Sequence, residues 1–534
     1  MDMHTLFTIT GVAFFIWTIR NIFFWVNLWQ LKEYRLDILS VHLRETVQGR
    51  SLFTSIGNIV KWILFLLYPV IVFQDQYTIW YELLIAALFI IEAFLVLKEI
   101  SQHTIKRPVP TKKALILVIL SIFAVSFLVL SPLLNEFVWF LILDRITFLL
   151  VSFFVFFLSF PTEIYRDIKI QKAMKKIKEY KNLLVIAVSG SYGKTSTKEY
   201  IAQVLSTKFH VVKTPGSNNT PIAIANTILN NIKEDTEVFV VEVGAVKRGE
   251  VAEIAAIVNP KISITTAVSD QHISLYGSLE NVIKSEYELI EALPKDGLAL
   301  FNANGGYIDS VYEQTKIKKL YYKRFEEKPK KNGVIAAYNI KASPDGVSFS
   351  VSTNHKELNL TAPLLGTHAV ENILPAVYLG LYKGLSIQEI QKAVSQLKPP
   401  AQTMVRKPLL NGIIGIDDTF NASPESVFAG MEYVKLYKKK KYFVLAPLIE
   451  LGKEGKKRHF QIGQLASTSC THLYLLNKNY IKEVLEGVRA GKGKCQVHIV
   501  NQKIAAEEIK STAKPGDVVL FEGKEAKVVM KKLL

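Results

Sequence analysis

Lys194 stands between two glycines on its N-terminal side, Gly190 and Gly193, and two hydroxyl residues on the other, Thr195 and Ser196. These are the residue types that hold a phosphate chain. Glycines let backbone N–H groups face phosphate oxygens, the lysine ammonium reaches the β and γ oxygens, and the threonine hydroxyl offers a ligand to Mg²⁺. The run Ser189-Gly190-Ser191-Tyr192-Gly193-Lys194-Thr195-Ser196 departs from the general GxxxxGKT spacing, because Val188 stands where that pattern has its first glycine. Its setting supplies the rest of the signal: Leu183 to Val188 reads as a strand and Ser196 to Leu205 as a helix, so the loop opens a helix N-terminus. Gly190, Ser191, Gly193, Lys194, Thr195 and Ser196 are the predicted nucleotide contacts.

The surrounding elements fit that task. From Leu183 onward short β-branched runs alternate with helical periods, which predicts α/β domains with mainly parallel sheets. His272 follows the predicted strand Ile262 to Val268 and so falls at the carboxyl edge of the sheet, where open α/β sheets bind ligands. The segment Leu320 to Pro363 reads as short strands around Asn332-Gly333 and Asp345-Gly346 turns, a β-rich closure of the central domain. Asp417 closes a strand Gly412 to Asp417, Asp418 starts a turn, and Asn421 and Ser423 can cap a helix beginning near Pro424. Later strands, Tyr442 to Leu445, His472 to Leu476, Gln496 to Val500 and Asp517 to Phe521, alternate with helices in a small Rossmann-like domain.

The first 160 residues have a different texture. Of the whole chain 49% is hydrophobic, and the apolar excess lies before Phe160. Five runs have the roughly 17 to 25 residues needed to cross a bilayer: Leu6 to Leu28, Leu52 to Phe73, Tyr77 to Leu97, Ala114 to Leu134 and Trp139 to Phe160. The connections after the first and third runs carry the basic residues and read as cytoplasmic; those after the second and fourth are short, carry Asp75 and Glu136, and read as external. That predicts a multi-pass region of the cell membrane with its N-terminus outside and everything after Phe160 in the cytoplasm. Arg20, Lys61, Glu92, Asp144 and Arg145 lie in or near the runs, and either pair between helices or serve a substrate or lipid headgroup. A transporter is disfavoured by the small number of spans and the absence of a repeat.

A basic segment, Tyr165 to Lys181, follows the last run and reads as a linker helix on the membrane surface. It accounts for much of the +18 formal charge without nucleic acid, for which no module is present. Cys470 and Cys495 lack metal-ligand spacing and read as buried thiols of a reducing compartment. The predicted domains are 1–165 (five spans), 166–182 (basic linker), 183–400 (central nucleotide-binding domain) and 401–534 (Rossmann-like domain).

Several blocks from Leu183 to Lys527 resemble the Mur ligase family, in family order. Gly190-Ser-Tyr-Gly-Lys-Thr-Ser196 resembles its ATP loop, Thr214-Pro-Gly-Ser-Asn-Asn219 the glycine-asparagine loop of the MurF branch, and Glu242-Val-Gly-Ala245 with Gly249-Glu250 the E-x-G-A and G-E-I blocks. His272 with Gly277-Ser278-Leu279, Asn302-Ala303, Gly366 with His368 and Asn372, Asp417-Asp418-Thr-Phe-Asn421-Ala-Ser-Pro424, and Glu450-Leu-Gly452 with His459 match later blocks. The resemblance implies a carboxylate–amine ligase using ATP and Mg²⁺. The γ-phosphoryl group activates a carboxylate as an acyl phosphate, and an amine then displaces phosphate. It also implies Thr195, Glu242 and His272 as metal ligands, His368 and Asn372 on the adenine side, and Asp417, Asp418 and Asn421 approaching the nucleotide from the last domain.

The implied substrates belong to peptidoglycan biosynthesis: a carboxyl-bearing cell-wall precursor, UDP-linked or lipid-linked, and an amino acid or dipeptide, with D-Ala-D-Ala on a muramoyl tripeptide the leading pair. A ligase adding another amino acid to a lipid-linked or polymer acceptor, and a non-catalytic nucleotide-binding scaffold, are the alternatives. Where family members hold the UDP-sugar in an N-terminal domain, this chain has its apolar half; Pro447 and Thr403 also depart from the pattern. At the centre, Glu286-Tyr-Glu-Leu-Ile290 matches the family's K-x-E-I-F, whose lysine is carbamylated and binds the second Mg²⁺. Glu286 is therefore predicted to supply that carboxylate directly, while Lys284, two positions earlier and rotated by about 200° on a helix, points away.

Overall fold

In the computed structural model, residues 2–71, 75–130, 135–269, 273–329, 334–353, 356–449 and 451–534 are described. The chain divides after Arg166 into two units.

The first unit is helical throughout: α1 (Met3–Leu31), α2 (Leu36–Glu45), α3 (Val47–Thr54), α4 (Ile56–Ile71), α5 (Asp75–Ser101), α6 (Lys112–Val129) and the start of α7 (Glu136–Glu179). Among the described residues, four helices are long and apolar enough to cross a membrane: Met3–Leu31, Gln48–Ile71, Lys112–Val129 and Glu136–Glu179. Five runs were expected; the third, Tyr77 to Leu97, lies within α5, outside these four. Its sequence carries Glu82 and Glu92 in the run and Lys98 and Glu99 just beyond.

The charges within these helices pair with one another. Lys61, fully buried, lies 2.7 Å from a Glu92 oxygen and 2.9 Å from Asp144 Oδ2. Arg145 also pairs with Asp144, whose other oxygen accepts from Trp17 Nε1 at 2.8 Å and Asn21 Nδ2 at 3.2 Å. Arg20 holds Glu99 through both its Nε and its Nη2. Inter-helical pairing, one of the two expected uses of these residues, is what satisfies them: an unpaired charge among apolar helices costs several kcal/mol.

The second unit contains two sheets. The larger joins β1 (Leu184–Ser189), β2 (Val211–Lys213), β3 (Val238–Glu242), β4 (Ile262–Thr265), β5 (Leu298–Asn302), β6 (Lys318–Arg324), β7 (Val334–Ser343), β8 (Gly346–Thr353) and β9 (Lys356–Ala362) in the order β2-β3-β1-β4-β5-β6-β7-β8-β9. It is parallel through β7, and the β7–β8–β9 ribbon is antiparallel. That ribbon is the predicted β-rich closure, with Asp345-Gly346 at the β7–β8 turn; the Asn332-Gly333 turn lies outside the described residues.

Helices cover both faces, which is why the parallel strands read as unbroken apolar runs. On β1, Ile186 and Val188 face a core shared with the helices Lys194–Leu205 and Ala369–Tyr382, whereas Val185 and Ala187 face one shared with Pro221–Asn231 and Glu250–Val258. Ile170, Ala173 and Ile177 of α7 join the second core, and Lys176 donates to the carbonyls of Leu229 and Ile232. The end of the basic segment is thus part of the folded second unit, its apolar stripe buried and Lys172, Lys175 and Lys178 exposed.

The smaller sheet has β10 (Val405–Pro408), β11 (Ile414–Asp418), β12 (Lys441–Leu445), β13 (His472–Leu475), β14 (Gln496–Ile499) and β15 (Val518–Glu522) in the order β10-β11-β15-β12-β13-β14, parallel apart from β10. It is the predicted Rossmann-like fold. Arg406 bonds Asp345 at 2.7 Å, and the Tyr433 hydroxyl donates to the Pro344 carbonyl at 2.8 Å, tying this sheet to the β7–β8 turn.

Candidate active site

β1 runs straight into the glycine loop, and the helix Lys194–Leu205 leaves it with Gly193 as N-cap. Gly190 and Gly193 have φ of +128° and +80°. A Cβ on Gly190 would lie 2.3 Å from Thr266 Oγ1 and 2.8 Å from the Ala267 nitrogen, so only glycine lets the loop lie this close to the end of β4. The Lys194 ammonium folds back onto the carbonyls of Gly190 and Ser191. Thr195 is half-buried and Ser196 buried. Asn372, from the helix Ala369–Tyr382, sits beside Gly193 and accepts from the Thr197 hydroxyl at 3.2 Å. It buttresses the loop from behind.

Glu242 ends β3, next to β1 in the sheet and 1% exposed. Its Oε1 accepts from Asn219 Nδ2 at 3.2 Å, its Oε2 lies 3.3 Å from Lys198 Nζ, and its backbone N–H donates to Thr214 Oγ1. The glycine-asparagine loop Thr214 to Asn219 is therefore laced to this carboxylate.

Glu286, in the helix Leu279–Glu291, is 7% exposed. Burial pushes its carboxyl up to about 7; Lys194, the Ser189 side chain and the Gly190 backbone pull it back, and Glu288 adds to the rise. Glu286 Oε2 is buried with no geometric hydrogen bond among the described residues, and the 1%-exposed Ser189 side chain faces the same carboxyl group. An orphaned carboxylate oxygen beside a phosphate-loop lysine fits a hard cation, whose hydration it would replace. His272 lies outside the described residues.

On the far side of the loop, Arg324 holds Glu371 and donates to Thr367 Oγ1 at 3.1 Å, and Asn302 Nδ2 donates to Glu371 at 3.0 Å. His368 sits next to this group; burial and then Arg324 push its ring down to about 4, so it is neutral at pH 7. Asp417 and Asp418 turn into the smaller sheet's own domain. Asp417 pairs with Lys407 at 3.0 Å and accepts from the Thr419 hydroxyl at 2.6 Å. Asp418 accepts from the Met404 N–H. Asn421 is exposed on the following loop, and Ser423 caps the helix Pro424–Val434 with Pro424 in its first turn. His459 is buried, donating from Nδ1 to the Gly455 carbonyl and accepting the Leu448 N–H at Nε2. It shapes the turn that brings Gly452 against Ile273 and Ser274.

Gly190, Ser191, Gly193, Lys194, Thr195, Ser196, Glu242, Glu286 and Asn372 thus meet at one sheet edge, with His368 on its flank. Sequence reasoning did not assign Lys198, Arg324 or Glu371. Only Lys198 left a trace: it lies four positions after Lys194, on the same helix face.

Residues 188–380 match the family profile for the Mur ligase middle domain, and residues 403–525 that for the Mur ligase glutamate ligase domain, together more than half of the chain. The chain belongs to the Mur ligase family. That family consists of ATP-dependent, ADP-forming ligases. This Mur ligase is 28% identical over 344 residues to the UDP-N-acetylmuramoyl-tripeptide--D-alanyl-D-alanine ligase of Bacillus subtilis (strain 168), covering 63% of this chain and 72% of that protein. To the enzyme of the same name in Escherichia coli (strain K12) it is 28% identical over 285 residues, 53% of this chain and 62% of that one. In fold it is similar to MurF of Acinetobacter baumannii (TM-score 0.62, 23% identity, 69% of this chain and 80% of that one). MurF of Thermotoga maritima, solved in complex with ADP, gives a TM-score of 0.59 at 21% identity over 69% and 82% of the two chains. The apolar first unit lies outside both matched profiles.

Proposed function

We propose that this Mur ligase joins D-alanyl-D-alanine to the terminal carboxylate of a muramoyl tripeptide in peptidoglycan synthesis, consuming ATP and releasing ADP and phosphate. One observation carries the reading. The glycine loop with Lys194, the carboxylate of Glu242 and the orphaned oxygen of Glu286 converge at the carboxyl edge of β1 and β3, inside a chain whose relatives bear that activity in their names.

The residues divide the work by charge. A carboxylate does not react with an amine at neutral pH, so it takes the γ-phosphoryl group and becomes an acyl phosphate. The amine attacks the acyl carbon, forming the C–N bond, and the C–O bond to phosphate breaks. The phosphoryl step needs positioning and neutralisation more than covalent help. The loop N–H groups and Lys194 hold the phosphates, with Gly190, Ser191, Gly193, Thr195 and Ser196 shaping the cradle. Thr195, Glu242 and Glu286 would hold Mg²⁺, whose charge screens the transferring group. His368 flanks the nucleotide's far end, Asn372 supports the glycine loop from behind, and Asn421, on the loop after Asp417 and Asp418, approaches from the last domain on closure. We take residues 183–400 as the ATP-binding domain and 401–534 as the closing domain.

We further propose that the first unit is a multi-pass anchor in the cell membrane, N-terminus outside and ligase domains in the cytoplasm, with α5 as the additional crossing; the acceptor is UDP-linked or lipid-linked. Apolar length and the basic connections support this. Reporter tags on Met1 and Leu534 test the topology: both ends on one side would remove it. Phosphate release by the purified full chain, with UDP-linked and lipid-linked tripeptide offered in turn alongside D-Ala-D-Ala or single amino acids, tests the activity. Release with a single amino acid and none with the dipeptide would move the enzyme to another ligation of the same class.

A further inference from the structure

Lys198 is fully buried, an uncommon place for a lysine, and its ammonium sits among groups of the metal-side wall. It donates to the Gly216 carbonyl, in the loop Thr214 to Asn219, and lies 3.3 Å from Glu242 Oε2 and 3.6 Å from Glu199 Oε1. Glu199 in turn pairs with Lys213. Two lysines therefore face two carboxylates here, and Lys194 faces Glu286 across the glycine loop. Among the described ion pairs around Glu242, two ammonium groups balance two carboxylates.

A lone buried carboxylate attracts a divalent cation strongly, whereas one already faced by a fixed ammonium gains much less from it. We propose that Lys198 is the resident counter-cation of Glu242, holding its carboxylate in the metal-binding orientation while weakening its attraction for bare Mg²⁺, so that the ion enters on the phosphates of ATP. The anionic nucleotide brings the negative charge that the wall lacks. Lys198 is a positioning residue: it acts through Glu242 and through the loop carbonyl that carries Asn219 beside it. The inference rests on the reading of Glu242 as an Mg²⁺ ligand.

Mn²⁺ binding to the full-length protein without nucleotide, followed by electron paramagnetic resonance, tests it. Lys198→Met should bind bare Mn²⁺ about tenfold or more tightly than the unaltered protein, because the competing charge is gone. Lys198→Arg, which keeps the charge, should stay near the starting affinity. Lys198→Gln, which can still donate to Gly216, should behave as the methionine variant does and decides the matter if that variant fails to fold. Unchanged or weaker bare Mn²⁺ binding in a folded Lys198→Gln protein would overturn the proposal and leave Lys198 a packing residue. Glu242→Gln separates the two readings: if Mn²⁺ binding with ATP present is unaffected by it, the fault lies with Glu242 as a ligand and not with Lys198.

Discussion

Lys284 and Glu286, two positions apart in the helix Leu279–Glu291, face opposite ways. Lys284 is exposed and pairs with Glu280 one turn back, while Glu286 is buried against the glycine loop. A half-turn of helix separates a solvent-screened surface ion pair from a carboxylate at the centre of the proposed site. Glu286→Gln should therefore raise the Mg²⁺ concentration needed for half-maximal turnover and slow acyl-phosphate formation, and added bicarbonate should not restore the rate. Lys284→Ala should be close to normal. A dead Lys284→Ala with an active Glu286→Gln would exchange the two roles.

Among the described residues the Lys194 ammonium hydrogen-bonds only the carbonyls of its own loop, so removing it costs the fold little. Lys194→Ala should lose ligation by about 100-fold or more, the scale of a lost electrostatic contact to a charged transition state, with stability changed by no more than ~0.5 kcal/mol. Thermal melts and phosphate release on one preparation check both halves. Retained turnover would remove Lys194 from the chemistry.

The phosphate loop, the parallel sheet and the Ser423 cap were legible in the sequence because each is a local signal: spacing, periodicity, or a capping residue before Pro424. Strand ends came within three residues; the one expected to close at Asp417 closes at Asp418. The acids Asp417 and Asp418 read as nucleotide contacts from their motif, yet their side chains meet Lys407, Thr419 and Met404 within the smaller sheet's domain. Sequence spacing cannot show that, since the partners lie up to 14 positions away and β10 returns antiparallel to β11. Lys198 escaped for the same reason: its partner Glu242 is 44 positions distant. Pairing among the charges of the first unit was one of two open readings, and only contacts across helices could choose between them.

Lys61 is the centre of those contacts. With Glu92 and Asp144 both on its ammonium, Lys61→Met would leave Glu92 with no ion-pair partner, since Arg145 reaches only Asp144 among the described pairs. Breaking one partner out of a buried ion pair costs ~3–5 kcal/mol, so the variant should yield little folded protein in detergent. The double change Lys61→Met with Glu92→Gln should recover much of the loss. A fully stable single variant would show that the first unit does not depend on this cluster.

Asp418 and Glu522 are register partners on adjacent parallel strands, β11 and β15, and both are buried at the carboxyl ends. Two carboxylates so placed cannot both ionise without strong repulsion. Burial first, with Asp417 adding to it, pushes Asp418 up to about 7; burial and then Asp418 raise Glu522 well above its ordinary range. The Met404 N–H on Asp418 and the Ser426 hydroxyl on Glu522 oppose these shifts without reversing them. For an acid whose folded value is raised, the folded state keeps its proton where the unfolded chain has lost it, so stability falls as pH rises from the ordinary carboxylate range to about 7. For Asp418 the size is on the order of 4 kcal/mol. Glu522→Gln replaces the shared proton with an amide N–H that can donate to ionised Asp418 at any pH. The unaltered second unit should therefore lose melting temperature between pH 5 and 8, and the variant should lose much less and be the more stable of the two at pH 8. Parallel melting curves for the two proteins, or a variant weaker at every pH, would mean that the pair does not share a proton and that Ser426 and Met404 satisfy two independent carboxylates.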